Sequence, residues 1–217
     1  MVFRSCMCYH TCNDTSRRPR QRGRFRKEVA IMGVEISLAG KNAVVTGGGG
    51  MGRTTSMLLG QAGANVMVAD MDVAAAEKTA ADIAAQFGVK TAFCKCDVTV
   101  KAEVDAMVEA TLKAFGRIDI LNNIAGASTK VDFLEMPEEI YDFMMDVNAK
   151  GTFLVDQAVL RVMIPNKSGK IVNMSSMSGK EGYPTNIAYT ASKFAVTGMT
   201  QAIAKYAAPY NINVNCV

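Results

Sequence analysis

From residue 42 onward the sequence alternates short runs rich in β-branched residues with longer stretches of helical periodicity, and this alternation constrains the fold most. Predicted strands cover residues 42–46, 65–70, 91–97, 118–124, 170–174 and 212–217, with helices over 52–61, 73–87, 101–115, 138–163 and 187–207. A strand, helix, strand succession requires crossover connections, so the strands should lie parallel with helices on both faces. The expected fold class is α/β, a doubly wound parallel sheet of the Rossmann-like kind. No internal repeat, low-complexity stretch or linker divides residues 32–217, which read as one domain.

The first strand-to-helix junction reads Thr46-Gly47-Gly48-Gly49-Gly50-Met51-Gly52-Arg53. Glycines suit a tight turn there, let the backbone approach a pyrophosphate closely, and leave the N–H groups of the helix start free for the anion. An ordinary glycine-rich loop would look similar in isolation, but a position after the first strand and before a helix is the context of a dinucleotide site. Asp70 ends the second strand, where a carboxylate accepts hydrogen bonds from ribose hydroxyls and repels a 2′-phosphate. NAD is therefore expected in preference to NADP. Arg53 could soften that preference but follows the last glycine, and Met71 adds no positive charge beside Asp70.

Tyr189 and Lys193 stand at i and i+4 on a predicted helix and so share a face. An ammonium near a phenol stabilises the phenolate, which equips the pair to exchange a proton with an alcohol or ketone oxygen. Ser176, after the fifth predicted strand, lies where a parallel sheet presents its ligand edge, and its hydroxyl could bond the reacting oxygen.

Residues 37–217 resemble the short-chain dehydrogenase/reductase family on these motifs taken together and in order. The resemblance implies a catalytic set of Asn148, Ser176, Tyr189 and Lys193: Tyr189 as general acid/base, Ser176 orienting substrate, and Asn148 holding a water that links Lys193 to solvent. It further implies cofactor contacts at Gly47, Gly50, Met51, Gly52, Asp70, Asp97, Val98, Asn123, Ala125, Gly126, Tyr189 and Lys193. Asp97-Val98 is similar to the family's adenine-contacting pair, and Asn123-Ile124-Ala125-Gly126 to its Asn-Asn-Ala-Gly motif. The implied activity is hydride transfer between NAD(H) and a small-molecule alcohol or ketone, with no metal in the site and assembly as a homodimer or homotetramer.

Three departures accompany the resemblance. The glycine loop is one residue shorter than the family's Thr-Gly-x-x-x-Gly-x-Gly, Ile124 replaces the second Asn of its motif, and the sequence stops at Val217 before the family's last strand and substrate lid. From the last departure we expect a chain truncated at its C-terminus, with an exposed edge at the sixth strand and weak or absent turnover, the alternative being a nucleotide-binding fragment without catalysis. Among other candidates, Met177 after Ser176 is read as a pocket residue, while Met144, Met145, Met163 and Met174 are read as core filler. Tyr183 and Pro184 either border the substrate or are structural. Ala188, Ser192, Ala195, Met199 and Ala202 form a stripe of mostly small residues that would allow close helix packing within or between subunits.

Net charge is +4, but residues 1–31 carry eight Lys or Arg against Asp14 and Glu28, leaving the body near −2. That distribution argues against nucleic-acid binding by the body. The tail's Cys6, Cys8, His10 and Cys12 have a spacing unlike the usual zinc patterns. Lys27-Glu28-Val29 can be encoded by AAGGAGGT, a bacterial ribosome-binding sequence, with Met32 a short distance beyond. We therefore expect residues 1–31 to be a disordered basic tail, leader read in frame, and the native start to be Met32. No apolar run reaches the ~18–20 residues that cross a bilayer, and no secretory signal is evident, so a cytoplasmic protein with reduced Cys94 and Cys96 is expected.

Overall fold

A computed structural model describes residues 36–217; the expectations for residues 1–31 lie outside the described residues. Along the chain run β1 (Asn42–Thr46), α1 (Gly50–Gln61), β2 (Asn65–Asp70), α2 (Val73–Phe87), β3 (Thr91–Lys95), α3 (Lys101–Phe115), β4 (Ile120–Asn123), α4 (Glu138–Met144), α5 (Gly151–Met163), β5 (Gly169–Asn173), α6 (Ile187–Ala207) and β6 (Ile212–Cys216). The strands form one parallel sheet in the order β3-β2-β1-β4-β5-β6. Chain direction across the sheet reverses between β1 and β4, which opens a crevice at their C-terminal ends.

Strand alternation sorts the core into two layers. Val44, Met67, Leu121 and Ile171 point to one face, where Val104 and Met107 of α3 and Val155 and Val159 of α5 cover them. Val45, Val66 and Val68 point to the other, under Ala76, Ala80 and Ile83 of α2 and partly buried Met57 and Leu59 of α1. With both faces covered, the central strands read as continuous apolar runs, the pattern of a buried parallel sheet.

Two strands, β3 and β4, end where side chains take over backbone partners. β3 stops at Lys95, short of the expected residue 97, because the Asp97 carboxylate accepts from the N–H of Thr99 at 2.9 Å and its hydroxyl at 2.7 Å, forming a turn. β4 covers only Ile120–Asn123 because the N–H groups of Ile124 and Ala125 donate to Thr46 Oγ1 at 2.9 and 3.1 Å. α1 begins at Gly50, two residues earlier than expected. The stretch read as one helix over 138–163 is α4 and α5 joined by a π-helical turn, Met145–Lys150, centred on buried Asn148. Such a turn carries an extra residue and swings the side chains that follow it, a placement often met at functional sites.

Candidate active site

The site begins at the end of β1. Buried Thr46 accepts the two N–H groups of Ile124 and Ala125 and donates to Asn123 Oδ1 at 3.0 Å, fastening the ends of β1 and β4 side by side. The chain then turns through Gly47, at φ +100°, and Gly50, at φ +46°, backbone conformations that disfavour any side chain. A Cβ on Gly52 would lie 2.0 Å from the Gly47 carbonyl oxygen, so the shortened loop closes only with glycine there. Gly49, the N-cap of α1, offers no side-chain cap and the first turn holds no acid. Its N–H groups remain for an anion.

In front of this loop lies a groove of about 470 Å³ lined by Gly47, Gly52, Asp70, Asp97, Val98 and Gly126 among others. Gly50, with open space around it, shapes the turn but is not among the lining residues. The Asp70 carboxylate is held by the N–H of Gly48 at 2.5 Å and that of Asp72 at 2.8 Å. Hydrogen bonds from Thr99 keep the Asp97 carboxyl below the ordinary carboxylate value. Arg53 turns away from the groove: its guanidinium meets Asp82 at 2.7 Å and Thr79 at 3.1 Å. The groove lining includes no Lys or Arg.

A second cleft, of about 510 Å³, holds Ser176, Met177, Lys180, Tyr189 and Lys193. Met51, Ile124, Gly126 and Ala127 line both spaces, so the glycine loop and the Tyr189 helix face one continuous surface. Lys193 is 4% exposed, and its ammonium donates to the Met174 carbonyl at 2.7 Å and lies 5.6 Å from the centre of the Tyr189 ring. Burial pushes its pKa down to about 8, because desolvation disfavours the charged form. Ser176 Oγ accepts the N–H of Ser178 at 3.1 Å, which leaves its own proton to donate.

Two expected residues act elsewhere than in the grooves. Asn123 is 2% exposed and lines neither space; its amide donates to the Thr152 carbonyl and to Asp156, each at 3.3 Å. Asn148 clamps the strand-end loop: Oδ1 accepts the Ala127 N–H and Nδ2 donates to the Ala127 carbonyl, both at 2.9 Å, and to Ser192 Oγ at 3.1 Å. A Cβ on Gly126 would meet Asn148 Oδ1 at 2.7 Å, so glycine lets this clamp close.

Sequence reasoning missed several lining residues. Met174, read as core filler, lines the cleft beside Met177, as does Ser175, whose hydroxyl meets Thr197 Oγ1 at 2.8 Å. Phe143 and Val147 line the first groove on either side of the buried Met144. Val147 adjoins Asn148 and Phe143 stands four residues before Val147, a usable signal. Tyr183 lines neither space. Cys96 lines the first groove, but burial raises its thiol to about 12, so it stays protonated; Cys94 is raised to about 11, also by burial. Both are free thiols.

A family model described as short chain dehydrogenase matches residues 41–217. The chain is 37% identical over 185 residues to an NAD-dependent glycerol dehydrogenase of Listeria innocua, covering 84% of this chain and 71% of that protein. It is 39% identical over 181 residues to a 5-keto-D-gluconate 5-reductase of Escherichia coli, covering 83% and 71%. Among solved structures, an NAD+-bound xylitol dehydrogenase superposes with a TM-score of 0.80 at 37% identity, covering 82% of this chain and 69% of that one. A short-chain type dehydrogenase/reductase from Mycobacterium marinum gives 0.80 at 34% identity, covering 84% and 75%.

Proposed function

The chain belongs to the short-chain dehydrogenase family, and from that membership we propose that it moves a hydride between NAD(H) and a small alcohol or ketone, with Tyr189 as general acid/base. One observation carries the reading: the glycine loop with Asp70 and the Ser176–Tyr189–Lys193 cluster open onto one surface through Ile124 and Gly126. The groove fits a dinucleotide on its own terms. A loop with no room for a Cβ at Gly52, an uncapped helix start and the Asp70 carboxylate in the groove lining are the features that pyrophosphate and ribose need.

When bound, the nicotinamide supplies or accepts the hydride. The protein's residues handle position and protons. The Tyr189 hydroxyl gives its proton to a ketone oxygen, and its phenolate takes one from an alcohol, with the Lys193 ammonium 5.6 Å from the ring centre. Ser176 donates to the same substrate oxygen, and its bond from Ser178 aims the hydroxyl. Asn148 keeps Ala127 in place between the two spaces.

NAD over NADP follows from the charge of the groove: Asp70 and Asp97 line it without a cation, and Arg53 is engaged by Asp82. We place the catalytic domain at residues 32–217. Residues 1–31 contribute nothing to the reaction in this reading, and the setting is the cytoplasm, where thiols such as Cys94 and Cys96 stay reduced. Among the described residues no helix is long and apolar enough to cross a membrane.

Self-association is also part of the proposal. Exposed Phe153 and Tyr206 line a groove between α5 and α6 together with Leu160, Ile164 and Ile203, and Phe194 lies exposed further along α6, which supports a homodimer or homotetramer through these helices. Of the small-residue stripe of α6, Ala188 and Ser192 are buried within the subunit, Ala195 and Met199 are half-buried, and Ala202 is exposed.

The test is titration with NADH and NADPH, followed by turnover on polyols and their ketones. NADH binding with weak turnover is expected, and Tyr189→Phe should cut whatever turnover the chain shows by about 10²–10⁴-fold while sparing NADH affinity. Binding without turnover would instead identify a nucleotide-binding protein, and retained turnover in Tyr189→Phe would remove Tyr189 from its role.

A further inference from the structure

The phosphate-facing loop is a residue shorter than the pattern it resembles, and its Gly48 is held from β2 and from helix α2. Gly48 is buried, and its neighbours are the first turns of α2: a Cβ there would meet the N and Cα of Ala76 at 2.8 and 2.9 Å. Its N–H donates to Asp70. Its carbonyl accepts from the hydroxyl of Thr79, which is 1% exposed, at 2.8 Å. That hydroxyl in turn accepts from Arg53 Nη1 at 3.1 Å, and Arg53 is anchored to Asp82 at 2.7 Å, with Lys78 also on Asp82 at 2.9 Å.

Arg53 stands in the first turn of α1, directly after the loop, and Thr79 and Asp82 stand one turn apart on α2. The single hydroxyl of Thr79 therefore joins both ends of the loop, Gly48 where it leaves β1 and Arg53 where it enters α1. A hydroxyl is the group that can do this, since it donates and accepts at once. Without it the Gly48 carbonyl is buried without its partner.

We propose that Thr79 is a positioning residue for the dinucleotide: through Gly48 and Arg53 it fixes the shortened glycine loop in the shape that receives the pyrophosphate. This inference rests on the cofactor reading above. Thr79 touches no part of the cofactor groove and acts only through the loop. Asp82 supports it by restraining Arg53, and a loop of this length cannot hold its turn by glycines alone, because glycine brings the widest backbone freedom.

The experiment uses the full chain and compares wild type, Thr79→Val and Thr79→Ser by NADH fluorescence titration, steady-state turnover and amide hydrogen exchange over residues 47–53. Thr79→Val keeps the shape and loses the hydroxyl. It should raise the NADH Kd and KM on the order of tenfold with a much smaller change in kcat, and should speed exchange in the loop while strands β4 and β5 stay protected. Thr79→Ser should restore both. If Thr79→Val folds poorly, Asp82→Ala, at a partly exposed site, frees Arg53 and should produce the same loop exchange and a smaller rise in Kd. Unchanged Kd and unchanged loop exchange in Thr79→Val, alongside a wild type that binds NADH, overturn the assignment to Thr79. A wild type that binds neither NADH nor NADPH overturns the functional reading beneath it. A parallel fall of kcat and affinity that Thr79→Ser does not rescue marks Thr79 as part of general packing and also overturns the proposal.

Discussion

Lys193 concentrates the chemistry of the site in one buried ammonium, and its burial has a thermodynamic signature. Its pKa falls from 10.5 to about 8 in the folded chain because desolvation penalises the charge, while the unfolded chain retains the ordinary value. Between those two values the unfolded state binds more protons, so stability rises with pH across that alkaline window and the burial penalty fades. Urea midpoints measured at about pH 7.5 and about pH 10 should show wild type gaining on Lys193→Met. An equal shift in both proteins would mean the ammonium is not desolvated. The i, i+4 pairing of Tyr189 with Lys193 was legible in the sequence because helical geometry alone puts the two on one face. The bond from Lys193 to the Met174 carbonyl was not, because it joins α6 to the end of β5 across 19 residues.

At the scale of elements, what joins strands and helices is a buried polar network that periodicity does not reveal. Asp156 of α5 is fully buried and accepts from Asn173 of β5 at 2.7 Å and Asn123 of β4 at 3.3 Å, while Asn173 also donates to Thr200 of α6 at 3.1 Å. Burial raises the Asp156 carboxyl from 3.8 to about 6 despite those two donors. The folded state then holds a proton that the unfolded state has released, so Asp156's contribution is present in acid and lost as pH rises through about 6. Comparing unfolding free energies at about pH 4 and about pH 7, wild type should lose ground to Asp156→Asn as pH rises, and a flat difference would contradict the raised pKa. Glycines give a second element-scale prediction. Gly52→Ala sets a methyl 2.0 Å from the Gly47 carbonyl oxygen, so α1 must move, whereas Gly60→Ala meets only the Ile83 and Phe87 side chains at 2.5 and 3.2 Å. Gly52→Ala should cost at least the ~1–3 kcal/mol of ordinary overpacking and abolish NADH binding; Gly60→Ala should cost less and spare binding. Denaturant melts with NADH titration check both. The glycine junction was readable because its function needs a distinctive residue type in a distinctive place. The π-helical turn at Met145–Lys150 was not, because one widened turn barely disturbs a hydrophobic pattern averaged over the 26 residues from 138 to 163.

At the scale of the molecule, the doubly wound architecture was readable from strand and helix order, with the bounds of β1, β2, α2, α3 and α6 as expected and the ends of β3 and β4 shifted by side chains that capture backbone groups. The charge split between residues 1–31 and the body motivates a direct check: a chain of residues 32–217 should match the full chain in NADH affinity to within about twofold, by titration of the two side by side. A large loss of affinity would give the basic segment a role in the nucleotide site. Strand order also sets a schedule. β1 lies between β2 and β4, and while β1 and β2 are joined within 23 residues, Ala43 meets Ile120 of β4 only after 77 more residues of chain. At about 5–20 residues per second of synthesis, one edge of the sheet's most buried strand waits roughly 4–15 seconds for its partner. During that interval Val44 and Val45 form an open hydrogen-bonding edge in the growing polypeptide, so the protein's yield in a cell should depend on translation speed and chaperone supply more than its finished stability suggests.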